Sequence, residues 1–200
     1  MKASTAQSPG RQMTPVIAKI IALGLILGIV SQAVRAQALS SHIEQLVEQE
    51  PSIEQITTST VDDQMRTQRP PYLFDVRTEE EFDVSHLENA IRLNPGTDAL
   101  VFLNDYGELF EKGVVVFYCS TGRRSIILAK AVAKALVAED KRNKVKSIPA
   151  PLNLEGGIFR WHNESRPLVD EQGKTDYIHP YSWYAKRLLD RKDDAKYSPR

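Results

Sequence analysis

The sequence predicts an open α/β architecture built on a mostly parallel sheet. Three observations predict it. Apolar runs of strand length alternate with helical segments, the central run VVVFY (Val114 to Tyr118) is apolar without alternation, and a strong amphipathic helix follows it after a glycine-containing loop. A strand that is apolar at every position is covered on both faces, as parallel strands are. At 200 residues the chain is long enough to bury a sizeable core as one domain with appendages.

The elements read as follows. Ser41, with Glu44 three residues on, marks a capping box opening a helix on which Ile43, Leu46 and Val47 recur at helical spacing, and Pro51 stops it. SIEQITTS suits a short edge strand, and Thr60 with Asp63 marks a second brief helix ending near Arg69-Pro70. YLFDV (Tyr72 to Val76) is the next strand. The acids of TEEEFDVSHLENA then occupy a first helical turn, where the helix dipole favours them. AIRLNP is a short strand closed by Pro95, and TDALVFLNDYGELF fits a helix with Leu100, Val101 and Leu103 facing inward. Gly113 releases the central strand. The helix beginning at Ser125 carries Ile127, Ala131 and Leu136 on its apolar stripe and lysines opposite. VKSIPAPLNLEGGIFRW holds a last strand and a Gly156-Gly157 turn, with Trp161 fixing that turn against the core. The segment after His162 contains an aromatic cluster, a short helix-like stretch and a charged end. It reads as a terminal helix laid on its own domain with a frayed end, the alternative being a partner-docking or membrane-surface role.

The amino terminus reads as an export signal: a basic start, the apolar run IIALGLILGIV (Ile20 to Val30), then small residues at Ala36 and Ala38. Eleven apolar residues fall short of the roughly 20 needed to span a bilayer. Cleavage after Ala38 gives a periplasmic or otherwise exported protein. The alternative is an uncleaved membrane anchor beginning at Val16, with Lys19 reaching back to the interface. Residues 1–38 hold Lys2, Arg11, Lys19 and Arg35 and no acid, so the zero formal charge of the whole chain becomes 22 basic against 26 acidic side chains after them. That balance gives no reason to expect a nucleic-acid partner.

Cys119 is the only cysteine, so no internal disulfide can form. Most free cysteines are small buried hydrophobes, but the neighbours of Cys119 do not fit that reading. It sits at the carboxyl end of the central strand, the edge where ligands bind in open α/β sheets. The loop CSTGRR has small residues that let backbone N–H groups converge, a helix start follows, and Arg123 and Arg124 add charge. Such a setting favours an ionised sulfur nucleophile.

Four pieces in order, LFDVRTEEEF, HLENAIRLNP, VVVFYCSTGRRS and LEGGIFRW, resemble the rhodanese-like family, from about Ile56 to Pro167. The resemblance implies a three-layer α/β domain with a central, mostly parallel five-stranded sheet and helices on both faces. Together with the export reading, it divides the chain into a signal peptide at 1–38, a helical lead-in at 39–55, the domain at 56–167 and a tail at 168–200. It also implies sulfur transfer through a Cys119 persulfide. The donor would be a small anion such as thiosulfate and the acceptor a thiol or cyanide, with no cofactor and no metal. Arg124 and Arg123 would bind the donor's oxygens, arginine being suited to bidentate oxyanion contact. Backbone N–H groups of Ser120, Thr121, Gly122 and Arg123 would hold the persulfide. The hydroxyls of Ser120, Thr121 and Ser125 would add donors, Ser125 also serving as a helix cap.

Asp75 and Arg77 match the family's DVR element, as supports of the loop or as a structural pair. Glu81 reads as a structural partner. His86 reads as a hydrogen-bonder, lacking a second ligand at metal spacing. Ser85 and Asn89 stand where the family often has glycine. The six-residue loop Cys119 to Arg124 is the length that goes with sulfur-sized substrates, whereas related phosphatases and arsenate reductases use one residue more. The rival function on the same fold is a persulfide- or oxidation-sensing module that binds a protein partner through its tail.

Overall fold

The computed structural model describes residues 37–143 and 149–200. All but the last two positions of the expected export signal lie outside the described residues, as does the 144–148 approach to the last strand. In chain order the elements are α1 (37–49), β1 (Gln55–Ile56), α2 (Thr58–Met65), β2 (Tyr72–Asp75), α3 (Glu79–Val84), β3 (Ile91–Arg92), α4 (Ala99–Tyr106), α5 (Leu109–Lys112), β4 (Val115–Tyr118), α6 (Arg123–Asn143), β5 (Leu152–Leu154), α7 (Gly157–Asn163), β6 (Leu168–Asp170) and β7 (Gly173–Thr175). Two 3-10 turns, Ala185–Leu188 and Lys192–Asp194, follow.

Five strands form one parallel sheet in the order β1-β5-β4-β2-β3. The chain leaves β2 toward β3 on one side and leaves β4 toward β5 on the other. The connections after β2 and β4 therefore diverge, and a crevice opens between the carboxyl ends of these two adjacent strands. Phe74 pairs with Phe117 and Asp75 with Tyr118, so Cys119, one residue further, emerges at that switch point.

The sheet is the middle of three layers. Alternate residues of β4 face opposite sides: Val116 and Tyr118 join Leu73, Leu154, Ile43, Val61, Ile158 and Trp161 on one face, whereas Val115 and Phe117 join Phe74, Phe102, Phe110, Ile126 and Val132 on the other. Every residue of β4 is buried, as an apolar run without alternation requires. The predicted α/β class, parallel five-stranded sheet and helices on both faces are all present.

Several local expectations are corrected. The helix expected to open at Ser41 is already formed at residue 37, because Leu39 continues the stripe of Ile43 and Leu46 into the core, while Val47 faces out. The second helix is capped by Thr57, whose hydroxyl accepts the Thr60 N–H, and not by Thr60. On α4, Leu100 and Val101 are 60 % and 55 % exposed. Phe102 takes the core instead, packing edge-on to Phe74 and Phe117. On α6 the buried stripe is Ile126, Ala129, Val132 and Leu136, and Ile127 is 62 % exposed. Both helices are apolar on adjacent positions, so pattern alone leaves their rotation open by one residue. Asn89 has φ 62°, taking a left-handed conformation that asparagine tolerates better than most side chains, so the turn before β3 forms without a glycine.

The tail is part of the fold. Instead of an α-helix it forms the β6–β7 hairpin, bridged to His86 through Val169, and then the two 3-10 turns. Leu168, Ile178, Leu188 and Leu189 enter the same core cluster as Trp161. Polar clasps close the tail: the Asn163 amide donates to the Leu188 carbonyl at 2.9 Å, and Arg200 grips Asp170 through two nitrogens at 2.7 and 2.8 Å. His162 is buried, and its Nε2 faces the Asp176 carbonyl and the Asp194 carboxylate, both acceptors, so Nε2 carries the proton. Its Nδ1 has no hydrogen-bond partner among the described residues, and burial, followed by the charge of Arg191, pushes the imidazole below its ordinary pKa.

Leu189→Ala should therefore cost about 3 kcal/mol of unfolding free energy in urea titrations, the value for a fully buried leucine. A loss below about 1 kcal/mol would show the tail to be an ornament on a self-sufficient domain.

Candidate active site

Cys119 follows the last residue of β4, and the backbone then turns sharply through Ser120, Thr121 and Gly122 into α6. Gly122 has φ 94°, a value that side chains resist, and a Cβ there would press on the Asn153 amide at 3.1 Å. The turn aims two backbone donors at the sulfur: Gly122 N–H at 3.2 Å and Arg124 N–H at 3.3 Å from Sγ. These N–H groups, at the first turn of a 21-residue helix, form a cradle for negative charge on the sulfur.

The loop can face inward because its carbonyls are engaged elsewhere. Ile158 N–H donates to the Cys119 carbonyl at 2.9 Å and Phe159 N–H to the Ser120 carbonyl at 3.0 Å. The start of α7 thus clamps the outside of the loop. Gly157 makes the approach close enough: a Cβ on it would lie 2.2 Å from the Cys119 oxygen, an impossible distance. LEGG, read from the sequence as a turn against the core, is the bed on which the active loop rests. Trp161 anchors it from behind, fully buried, with its indole N–H on the Pro167 carbonyl at 2.8 Å.

Glu81 and Arg124 hold the loop from the β2 side. The capping box Thr78–Glu81 starts α3 and turns the Glu81 carboxylate toward the crevice. There it takes Arg124 through both guanidinium nitrogens, at 2.8 and 2.7 Å, and the Ser120 hydroxyl at 2.8 Å. Arg124 also donates to Ser120 Oγ at 2.9 Å, closing a triangle, and lies 4.8 Å from the ring centre of Tyr181. Burial works to raise the Glu81 pKa, but the hydrogen bonds and charge of Arg124, then Arg77 and Ser120, outweigh it and hold the carboxyl at about 2. Arg124 is correspondingly held above its ordinary value against its own burial. The guanidinium expected to meet an anionic donor is thus largely neutralised by Glu81.

The other sequence-derived residues fall as follows. Thr121 Oγ1 shares a 3.1 Å hydrogen bond with His42 Nε2 of α1. Arg123 is exposed at the rim. Ser125, expected as an extra donor or as the helix cap, is fully buried and donates to the Gly122 carbonyl at 3.1 Å, bracing the turn from within. Asp75 and Arg77 form a buried ion pair at 2.6 Å that also engages the Ser85 carbonyl. Among the described residues neither makes a hydrogen bond to the loop, and their effect there is the field of Arg77 on Glu81. His86 stacks on Phe82 and its Nδ1 donates to the Phe82 carbonyl, which makes it a structural residue. No cluster of three metal-ligating side chains exists among the described residues.

Cys119 is 1 % exposed, yet it forms the floor of a cavity of about 440 Å³. Ser120, Thr121, Arg123 and Arg124 line its lower part. Its upper wall comes from His42, Tyr181, Tyr184 and Arg187, none of them identified from the sequence. The only linear hint was the aromatic cluster YSWYAKR in the tail.

Two substitutions test this construction. Gly157→Ala should cost about 3 kcal/mol or more in urea unfolding, because its Cβ has nowhere to go. Glu81→Gln should flatten the acid limb of stability. A carboxyl at about 2 when folded, against 4.5 ordinarily, stabilises the fold fully above about pH 5, and that contribution, about 3 kcal/mol, is lost as pH falls toward 2. Urea midpoints measured from pH 7 to pH 2 should show the wild-type slope over this range and a much shallower one in the variant.

Comparison with known proteins places this geometry. The family described as Rhodanese-like domain matches residues 57–164, just over half of the chain. Among solved structures, the chain is similar to a rhodanese-related protein from Thermoplasma volcanium, with 20% identity over 59% of this chain and 99% of that one and a TM-score of 0.41. It is similar to a thiosulfate sulfurtransferase from Pseudomonas aeruginosa, with 17% identity over 82% of this chain and 27% of that one and a TM-score of 0.47. It is also similar to an As-Sb reductase from Leishmania major, with 18% identity over 59% of this chain and 86% of that one and a TM-score of 0.47. No curated protein matches the chain. With its matched segment running from the end of β1 through α7 and enclosing the Cys119 loop, the chain belongs to the rhodanese-like domain family.

Proposed function

We propose that the protein is a sulfurtransferase that carries sulfane sulfur on Cys119. The observation that supports this most directly is the convergence of the Gly122 and Arg124 N–H groups on Sγ at the floor of an accessible cavity. The sulfur of Cys119, as the thiolate, attacks the outer sulfur of a small anionic donor such as thiosulfate. The new S–S bond forms as the donor's S–S bond breaks, sulfite leaves with the electron pair, and Cys119 becomes a persulfide anion. An acceptor, cyanide or a thiolate, then takes the outer sulfur and returns the electron pair to Cys119. The covalent intermediate splits one transfer into two easier ones. In both states the sulfur bears negative charge, which the two N–H donors and the helix start are arranged to meet.

The six-residue loop supports sulfur chemistry over hydrolysis of a tetrahedral oxyanion. We further propose that the protein is exported, on the strength of the basic start, the short apolar run and Ala36 with Ala38. No helix among the described residues is long and apolar enough to cross a membrane.

Incubation with thiosulfate should add the mass of one sulfur atom to the Cys119 peptide, and cyanide should discharge it as thiocyanate. Cys119→Ser should do neither above background. An unmodified Cys119 after exposure to thiosulfate and to an organic persulfide, with turnover of an aryl phosphate in its place, would replace this reading with a phosphatase. Intact mass of the protein from its source cells reads cleavage after Ala38 in the same experiment.

A further inference from the structure

The upper wall of the cavity is built by segments outside the matched domain: His42 from α1, and Tyr181, Tyr184 and Arg187 from the tail. Three arginines line this cavity, and their charges are not equivalent. Arg124 is neutralised by Glu81. Arg123 and Arg187 have no carboxylate within ion-pair distance among the described residues, so the net positive charge of the cavity is theirs. Arg187 is not loose: its guanidinium lies 3.5 Å over the ring centre of Tyr184. Tyr181 is held at φ 61°, an uncommon conformation for a bulky residue, with its backbone N–H on His179 Nδ1 and its ring over Arg124. His42 lies close enough to Arg123 and Arg187 that, after burial, their charges push its imidazole below the ordinary pKa. Two guanidiniums without a paired carboxylate among the described residues therefore line one cavity together with His42.

That space is larger than the first half-reaction needs. A cavity of about 440 Å³ lies in the range of roughly 300–1,000 Å³ that holds organic ligands, and a five-atom oxyanion fills a small part of it. The second half-reaction needs an acceptor from outside, because the chain has no second cysteine. We propose that Arg187 and Arg123, with the Tyr184 ring behind Arg187, form an anion subsite that binds the carboxylate of a small organic thiol acting as sulfur acceptor. This rests on the sulfur-transfer reading above. A guanidinium meets a carboxylate through two parallel hydrogen bonds, and its stacking on Tyr184 presets the orientation. The acceptor thiol loses its proton to solvent. Its thiolate attacks the outer sulfur of the Cys119 persulfide, the new S–S bond forms, the Cys119 S–S bond breaks with its electron pair returning to Cys119, and the organic persulfide leaves.

The test uses the full chain loaded with one sulfur by thiosulfate and discharged in a single turnover, read by intact mass. The acceptors are 3-mercaptopropionate and its methyl ester, compared at equal thiolate concentration and each scaled to its rate of discharging a free persulfide in solution, so that the remaining difference reports the carboxylate charge in the site. The acid should discharge Cys119 at least about tenfold faster than the ester. Arg187→Gln should bring that ratio close to one, and Arg187→Lys should keep part of it. A ratio near one in the wild type, or an undiminished ratio in Arg187→Gln, overturns the subsite. If neither thiosulfate nor an organic persulfide loads Cys119, the sulfur-transfer reading falls by itself, and the subsite is then read by calorimetric binding of 3-(methylthio)propionate to the Cys119→Ser protein. Binding that disappears in the Arg187→Gln background sustains the subsite, and no binding removes it.

Discussion

The structure of the site depends on one close approach, that of α7 to the outer side of the Cys119 loop. A loop that turns its N–H groups toward a sulfur turns its carbonyls the other way, and a buried carbonyl left unpaired costs about 1–3 kcal/mol. Ile158 and Phe159 take those carbonyls at 2.9 and 3.0 Å, and they reach them because Gly157 presents no side chain. The donors that complete the outside of the loop are the unpaired N–H groups of a helix start, which need acceptors of their own. Each element satisfies the other's unmet hydrogen bonds, and the cradle for the sulfur is what this exchange leaves open.

The Glu81–Arg124 pair is a second constraint of the same kind. A buried ion pair is weak evidence of stability, since desolvation opposes its attraction. Its geometry nevertheless binds three elements: α3 through the Thr78 capping box, the loop through Ser120, and α6 through Arg124. It also sets the charge of the site. Arg124 without Glu81 would be a strong anion binder beside the sulfur. With Glu81 it is an oriented strut whose charge is offset, and the cavity-lining arginines without a paired carboxylate among the described residues are Arg123 and Arg187.

Much of this was legible in the sequence. VVVFY announced a strand buried on both faces, and it is the centre of the sheet. Cys119 at its carboxyl end, the glycine-bearing turn and the α6 start were readable because they are contiguous. What was not legible is what the fold brings together from a distance. The carboxylate that occupies Arg124 lies 43 residues away and the imidazole on Thr121 lies 79 away, and no period in the chain records either contact. Rotation of α4 and α6 failed for a different reason. Leu100, Val101, Phe102 and Leu103, like Ile126, Ile127 and Leu128, are apolar in succession, so the stripe is chosen by the fit of Phe102 against Phe74 and Phe117 and of Ile126 beneath the loop, not by hydropathy.

The flanking segments join stability to chemistry. Leu39 and Ile43 on one side, and Ile178, Leu188 and Leu189 on the other, complete the core face that also holds Leu73, Val116 and Trp161. The residues between and beside these anchors, His42 next to Ile43 and Arg187 next to Leu188, are thereby brought to the cavity above Cys119. A helical or 3-10 segment that buries one side must present its other side somewhere. Here the buried side closes the core, and the adjacent positions close the mouth of the site. Loss of packing under the tail would therefore act on the cavity as well as on stability, because Leu188 and Leu189, which anchor the tail in the core, adjoin Arg187 of the cavity lining.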